Sequence, residues 1–224
     1  MAEVIVAFDQ SSGREALALA DRLAELRWAK VGSALFVREG PALVREFTTR
    51  NVRVFLDLKW HDIPSTVERA VAAARDLGVA LATVHCLGGH EMLVAAVRAA
   101  GDLPLVGVTV LTSHTTTEME RIVGRGVPDM GVESERLARL ALAAGLRGVV
   151  TAGREIALVR EALGREPWIV VPGVRLEGDP ADDQARTVTP REAVRLGATH
   201  LVVGRSITRA SDPARVYRQI LESI

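Results

Sequence analysis

Phe55-Leu56-Asp57-Leu58-Lys59-Trp60-His61-Asp62-Ile63-Pro64-Ser65-Thr66 sets three charges, Asp57, Lys59 and Asp62, in an apolar run of strand type. Val54, Phe55, Leu56 and Leu58 predict a buried strand. Side chains alternate faces along a strand, so Asp57 and Lys59 share one face, about 7 Å apart along it. Burying a lone charge is costly, so an acid and an ammonium two residues apart form either a structural ion-pair network or a working polar site. Asp62 falls just past the strand end.

Around this stretch, short Val/Ile/Leu-rich runs alternate with amphipathic segments of helical period, the pattern of repeated βα units on a parallel sheet. Eight strands are predicted: Val4–Phe8, Trp28–Val31, Val54–Lys59, Leu81–Cys86, Leu105–Leu111, Gly148–Thr151, Trp168–Val171 and Leu201–Val203. Helices are predicted over Arg14–Leu26, Pro41–Arg50, Ser65–Leu77, Glu91–Ala100, Ser134–Ala144, Arg154–Leu163, Pro190–Leu196 and Pro213–Ser223. Ser65-x-x-Glu68 and Thr189-Pro190-Arg191-Glu192 read as capping boxes, and Asp212-Pro213 as a third helix start. Gly78, Gly101, Gly145, Gly164 and Gly197 fall where helices should end. No linker breaks the pattern. Eight βα units within 224 residues point to a compact α/β fold, a single-domain (β/α)8 TIM barrel spanning residues 1–224, in preference to an open doubly wound sheet.

In such a barrel, polar residues at strand C-termini form the site. The candidates are Asp9, Lys30, Asp57, Lys59, Asp62, Thr112 and Ser113, then Pro172, Gly173 and Arg175, and finally Gly204, Arg205 and Ser206. Barrels commonly bind phosphate with the loops after strands seven and eight, through backbone N–H groups and a cation. Gly173, Gly204 and Arg205 supply those parts. Two long connections, Thr112–Glu133 and Val174–Thr187, follow strands five and seven, where lids are usually built.

Composition narrows the partners. Lys plus Arg and Asp plus Glu number 28 each, so no net basic charge marks a nucleic-acid surface. No apolar stretch of about 18 residues spans a bilayer, and MAEVIVAFDQ runs straight into a strand without a signal-peptide pattern, so a cytoplasmic protein is expected. The lone Cys86 precludes an internal disulfide. Of the basic residues only Lys30 and Lys59 are lysine, and both sit at predicted strand ends. A chain that otherwise uses arginine and keeps lysine there needs a compact ammonium at those places. For a metal, His61, His85, Asp57 and Asp62 are the available ligands, but no H-x-x-x-H or H-E-x-x-H spacing occurs, and no metal is expected. His90, His114 and His200 read as surface or capping residues, and the three tryptophans as isolated packing groups. Neither G-x-S-x-G nor a flanked catalytic cysteine is present. On the functional reading of the charged stretch, Lys59 held between carboxylates stays protonated and serves as a positioned proton donor; on the structural one the three charges form an ion-pair network.

Asp57-Leu58-Lys59-Trp60-His61-Asp62-Ile63-Pro64 resembles the D-x-K-x-x-D signature of the orotidine 5′-monophosphate decarboxylases. The resemblance runs along nearly the whole chain: Ala7-Phe8-Asp9, Lys30-Val31-Gly32, Val84-His85, Leu111-Thr112-Ser113, Val171-Pro172-Gly173-Val174-Arg175, Asp183-Gln184-Ala185-Arg186 and Val202-Val203-Gly204-Arg205-Ser206-Ile207-Thr208 follow in the family's order. Phe8, where leucine is common, and Trp60 are the departures. The resemblance implies decarboxylation of orotidine 5′-monophosphate to uridine 5′-monophosphate and CO2 without a cofactor, as the last step of pyrimidine biosynthesis. It also implies residue roles: Asp9 and Lys30 on the ribose, Thr112 on the pyrimidine, Gln184 on base and phosphate, Arg205 and Gly204 on the phosphate, Pro172 and Arg175 as further ligand contacts, and Lys59 as the donor to C6. Family members are homodimers in which Asp62, Ile63 and Thr66 reach the partner's site. Two other readings remain: a related Mg²⁺-using sugar-phosphate enzyme sharing D-x-K-x-x-D, and a non-catalytic nucleotide-phosphate binder on the same barrel.

Overall fold

The computed structural model describes residues 2–176 and 187–224. Eight parallel strands, β1 (Glu3–Phe8), β2 (Trp28–Gly32), β3 (Arg53–Trp60), β4 (Leu81–His85), β5 (Leu105–Val108), β6 (Gly148–Val150), β7 (Trp168–Val171) and β8 (His200–Val203), pair in chain order, and β8 returns to β1 to close the barrel. The expected (β/α)8 architecture is therefore the one observed. Closure leaves no free sheet edge and makes the strand parity strict: every second residue faces the axis. Ile5 and Ala7, Trp28, Phe55, Leu81, Val106, Val170 and Val202 fill the interior as one buried cluster. The opposite faces of the same strands pack under the helices in a second, larger cluster.

The helices are α1 (Gly13–Asp21), α2 (Ser33–Thr49), α3 (Pro64–Asp76), α4 (Gly89–Ala100), α5 (Thr116–Val123), α6 (Met130–Ala143), α7 (Ile156–Leu163), α8 (Pro190–Arg195), α9 (Arg205–Thr208) and α10 (Pro213–Glu222). Thr189 and Asp212 cap α8 and α10, accepting the N–H groups of Glu192 and Arg215, with proline at the first turn as expected. Gly78, Gly101, Gly145, Gly164 and Gly197 all take positive φ at or just past helix ends.

Several local expectations fail. Ser65 is not a cap: Ile63 holds that position and Pro64 opens α3, because the fixed proline φ starts the helix one residue earlier than the hydroxyl. Helix α2 is two helical segments broken at Gly40 (φ 64, ψ −156): the one that starts at Pro41 is the predicted helix, and the one over residues 33–39 is unexpected. The connection after β5 contains α5, with Thr115 and Glu118 forming a full capping box, and α6 starts at Met130, on Asp129, rather than at Ser134. Buried Glu133 anchors that connection through Arg125 (2.6 Å) and Arg136 (2.6 Å).

His200 is no surface group. It is buried at the N-terminal end of the barrel between Trp28 (ring centroids 5.8 Å apart) and Trp168 (4.5 Å), so those two tryptophans are not isolated. Arg53 lies over Trp28 and pairs with Glu3 at 2.9 Å, and Arg147 lies over Trp168. This aromatic plug fills one end of the barrel and leaves the free volume at the other. No helix among the described residues is long and apolar enough to cross a membrane.

Candidate active site

The strands open at their C-terminal ends into a cavity of 480 Å³ lined by Asp9, Lys30, Asp57, Lys59, Thr112, Pro172, Arg175, Gly204 and Arg205 among others. These are the residues the strand-end argument selected. Parity explains the grouping: Asp57 follows inward-facing Phe55, and Lys59 follows Asp57.

Opposite charges alternate across β1, β2 and β3. Lys30 Nζ lies 3.3 Å from Asp9 Oδ1 and 3.8 Å from Asp57 Oδ2, and Lys59 Nζ lies 2.9 Å from Asp57 Oδ1. The Lys30 and Asp57 side chains are only 12% and 13% exposed, so that pair is shielded and its attraction exceeds that of a surface pair, whereas Asp9 and Lys59 reach towards solvent. A Cβ at Gly32 would stand 3.1 Å from Lys30 Nζ, so glycine there leaves the ammonium its position without displacement.

Lys59 itself is held in the left-handed region, φ 51; among the described residues only Asn51 shares that property outside glycine. Asparagine tolerates this conformation and lysine does not favour it, so the backbone is strained at the ammonium-bearing residue. The β3–β4 register slips at the same place, from Leu56 opposite Ala82 to Trp60 opposite Val84. Thr83, fully buried on β4, accepts the Lys59 N–H (2.8 Å) and donates to Asp57 Oδ1 (3.1 Å). The strand-end list did not contain Thr83. Its only sequence signal is inward parity with Leu81 and His85 on a predicted strand, and nothing local ties it to Asp57.

Beyond Lys59 the chain turns against β4, where His61 stacks on His85 (centroids 5.5 Å apart). His85 Nδ1 accepts the Leu87 N–H, and burial, aided by His61, His114 and Lys59, pushes its pKa down to about 4, so it is neutral. Among the described residues no group of three or more His, Cys, Asp or Glu is placed to hold a metal.

On the far side of the cavity, Pro172 and Gly173 follow β7, and Gly204 with Arg205 follows β8. Arg175 is buried, and its N–H bonds the Val188 carbonyl beside a Val174–Val188 bridge. The two ends of the long connection are thereby pinned at the cavity rim. Gln184 lies outside the described residues, as does most of that connection. Asp62, Ile63 and Thr66 do not line the cavity of their own chain; Asp62 and Ile63 are exposed, and Asp62 Oδ1 accepts the Ile63 N–H at 2.6 Å.

An acid–ammonium array on one wall and arginines with a glycine-led turn on the other, at the C-terminal mouth of a closed eight-stranded barrel, define a (β/α)8-barrel enzyme for a small anionic substrate. The chain is 49% identical to an orotidine 5′-phosphate decarboxylase of Alkalilimnicola ehrlichii, over 97% of this chain and 95% of that one, and 44% identical to the enzyme so named from Sodalis glossinidius, over 99% and 89%. The crystal structure of orotidine 5′-phosphate decarboxylase from Lactobacillus acidophilus superposes with a TM-score of 0.88 at 33% identity, covering 100% of this chain and 99% of that one. Residues 2–220 match the model of the orotidine 5′-phosphate decarboxylase / HUMPS family, and the chain belongs to that family.

Proposed function

We propose that this protein decarboxylates orotidine 5′-monophosphate to uridine 5′-monophosphate and CO2, the last step of pyrimidine biosynthesis, without a cofactor. The observation that carries the reading is the Lys30–Asp57–Lys59 array facing Arg205 across one cavity. Breaking the C6–carboxylate bond leaves its electron pair on C6 in the plane of the ring, orthogonal to the pyrimidine π system, which therefore cannot accept it. Stabilisation must then come from a fixed cation. A unit charge at about 4 Å contributes about 4 kcal/mol at an effective dielectric near 20. Lys59, fixed by Asp57, supplies that cation and then its proton to C6 as CO2 leaves; solvent restores the proton afterwards. Asp57 faces the departing carboxylate, and their repulsion is relieved as neutral CO2 forms.

Asp9 and Lys30 hold the ribose hydroxyls, Thr112 the pyrimidine, and Arg205 with the Gly204 backbone the phosphate. Arg175 and Pro172 add ligand contacts from the β7 side, and Gln184 reaches base and phosphate. The whole chain acts as one catalytic domain, in the cytoplasm, as a homodimer. In the dimer Asp62, Ile63 and Thr66 complete the partner's site, which accounts for an exposed isoleucine (64%) beside a site motif. Remote contacts to the phosphate order the site for chemistry.

The test is the ultraviolet absorbance change of orotidine 5′-monophosphate on adding the protein, with and without EDTA. Turnover unaffected by EDTA is expected. An unchanged absorbance overturns the reading, and turnover lost in EDTA and restored by Mg²⁺ favours the metal-using branch instead.

A further inference from the structure

Thr83 makes two contacts with one hydroxyl. A backbone N–H can only donate, so the oxygen must accept from Lys59, and its own hydrogen is left for Asp57 Oδ1. That same Oδ1 also accepts the Lys59 ammonium at 2.9 Å. One β4 side chain thus closes a ring that runs from the Lys59 backbone through Thr83 to Asp57 and back to Lys59 Nζ.

We infer that Thr83 is a positioning residue for the decarboxylation step, holding the left-handed Lys59 backbone and the Asp57 carboxylate so that the ammonium is aimed into the cavity. This rests on the proposed decarboxylase reading. Three features support it. Lys59 sits at a sheet register slip, where the Thr83 hydroxyl takes its N–H. Its positive φ is a conformation lysine disfavours and the surroundings must enforce. Thr83 is fully buried and is not among the residues lining the cavity, and its hydroxyl bonds Lys59 and Asp57, so it acts through those neighbours. Misplacing a reacting group by about 1 Å costs about 100-fold in rate, whereas ligand contacts elsewhere in the site are untouched.

Thr83→Val keeps the shape and removes the hydroxyl; Thr83→Ser keeps the hydroxyl and removes the methyl. Thr83→Val is expected to lower kcat about 30- to 300-fold with KM and uridine 5′-monophosphate affinity within threefold, and Thr83→Ser to recover kcat to within about fivefold of the native chain. Native-like kcat in Thr83→Val overturns the inference, as does a loss confined to thermal stability. Should Thr83→Val fail to fold, Thr83→Ser is compared with Thr83→Ala: equal impairment of the two overturns the role, and recovery in serine alone supports it. No turnover by the native chain would instead overturn the decarboxylase reading itself.

Discussion

Lys59 Nζ lies 2.9 Å from Asp57 Oδ1, two residues away on the same strand face, and the opposite oxygen of that carboxylate faces Lys30 at 3.8 Å. Asp57 therefore separates the chain's two lysines and receives both. Replacing Lys59 removes the mobile proton and leaves Asp57 with one cation. Lys59→Ala is expected to lower turnover by at least about 1,000-fold, towards the upper range for general-acid groups. Uridine 5′-monophosphate should still bind by calorimetry, since its phosphate and ribose contacts lie elsewhere. Activity like that of the native chain would end the proton-donor assignment.

Arg205 begins α9 on the opposite wall of the cavity. Charge-assisted contacts to phosphate contribute about 1.5–3 kcal/mol each, so Arg205→Ala should raise KM for the nucleotide about 10- to 100-fold. Binding of a nucleoside lacking phosphate should hardly change. An equal loss for both ligands would place Arg205 away from the phosphate.

If sites are shared between subunits, inactive Lys59→Ala and inactive Asp62→Ala chains should complement when mixed. Each mixed dimer then holds one site with both groups intact, and random pairing recovers about a quarter of native activity. Mixtures that stay inactive, with subunit exchange shown by mass spectrometry of labelled chains, would assign Asp62 to its own chain.

Stability should fall in mild acid because of the barrel plug. Burial pushes His200 down to about 4, against 6.5 when unfolded. Between those values the unfolded chain binds a proton that the folded chain does not, so stability is fully present above about pH 6.5 and declines as pH falls towards 4. The difference corresponds to about 3 kcal/mol. Buried His85 adds in the same direction. His200→Gln should flatten the fall in denaturation midpoint between pH 6.5 and 4 relative to the native chain, and an unchanged slope would remove His200 from the account.

Much of the barrel is legible in the chain because strand and helix periods are local properties. Phe55, Asp57 and Lys59 follow one another at strand spacing, so their common face is read without a fold. The glycines after helices and the Gly204-Arg205 turn are short-range signals of the same kind. The break at Gly40-Pro41 was legible, but the helical residues 33–39 before it and the helix inside the β5–α6 connection were not: although Thr115-x-x-Glu118 is a capping pattern, segments this short carry too little helical period to be told from loop.

The alternation of elements, the inward parity of Asp57 and Lys59, and the family signature around them are written in the chain. Which groups from other strands those two meet follows from the closed barrel. Thr83 is 26 residues from Asp57 and 24 from Lys59, and its role exists because the β3–β4 register slips where Lys59 turns left-handed. Lys30 reaches Asp57 because β2 and β3 are neighbours in a closed ring. His200, which reads locally as a capping group, is buried because closure brings Trp28 and Trp168 to either side of it. Parity is set by one strand; register and enclosure are set by all eight together.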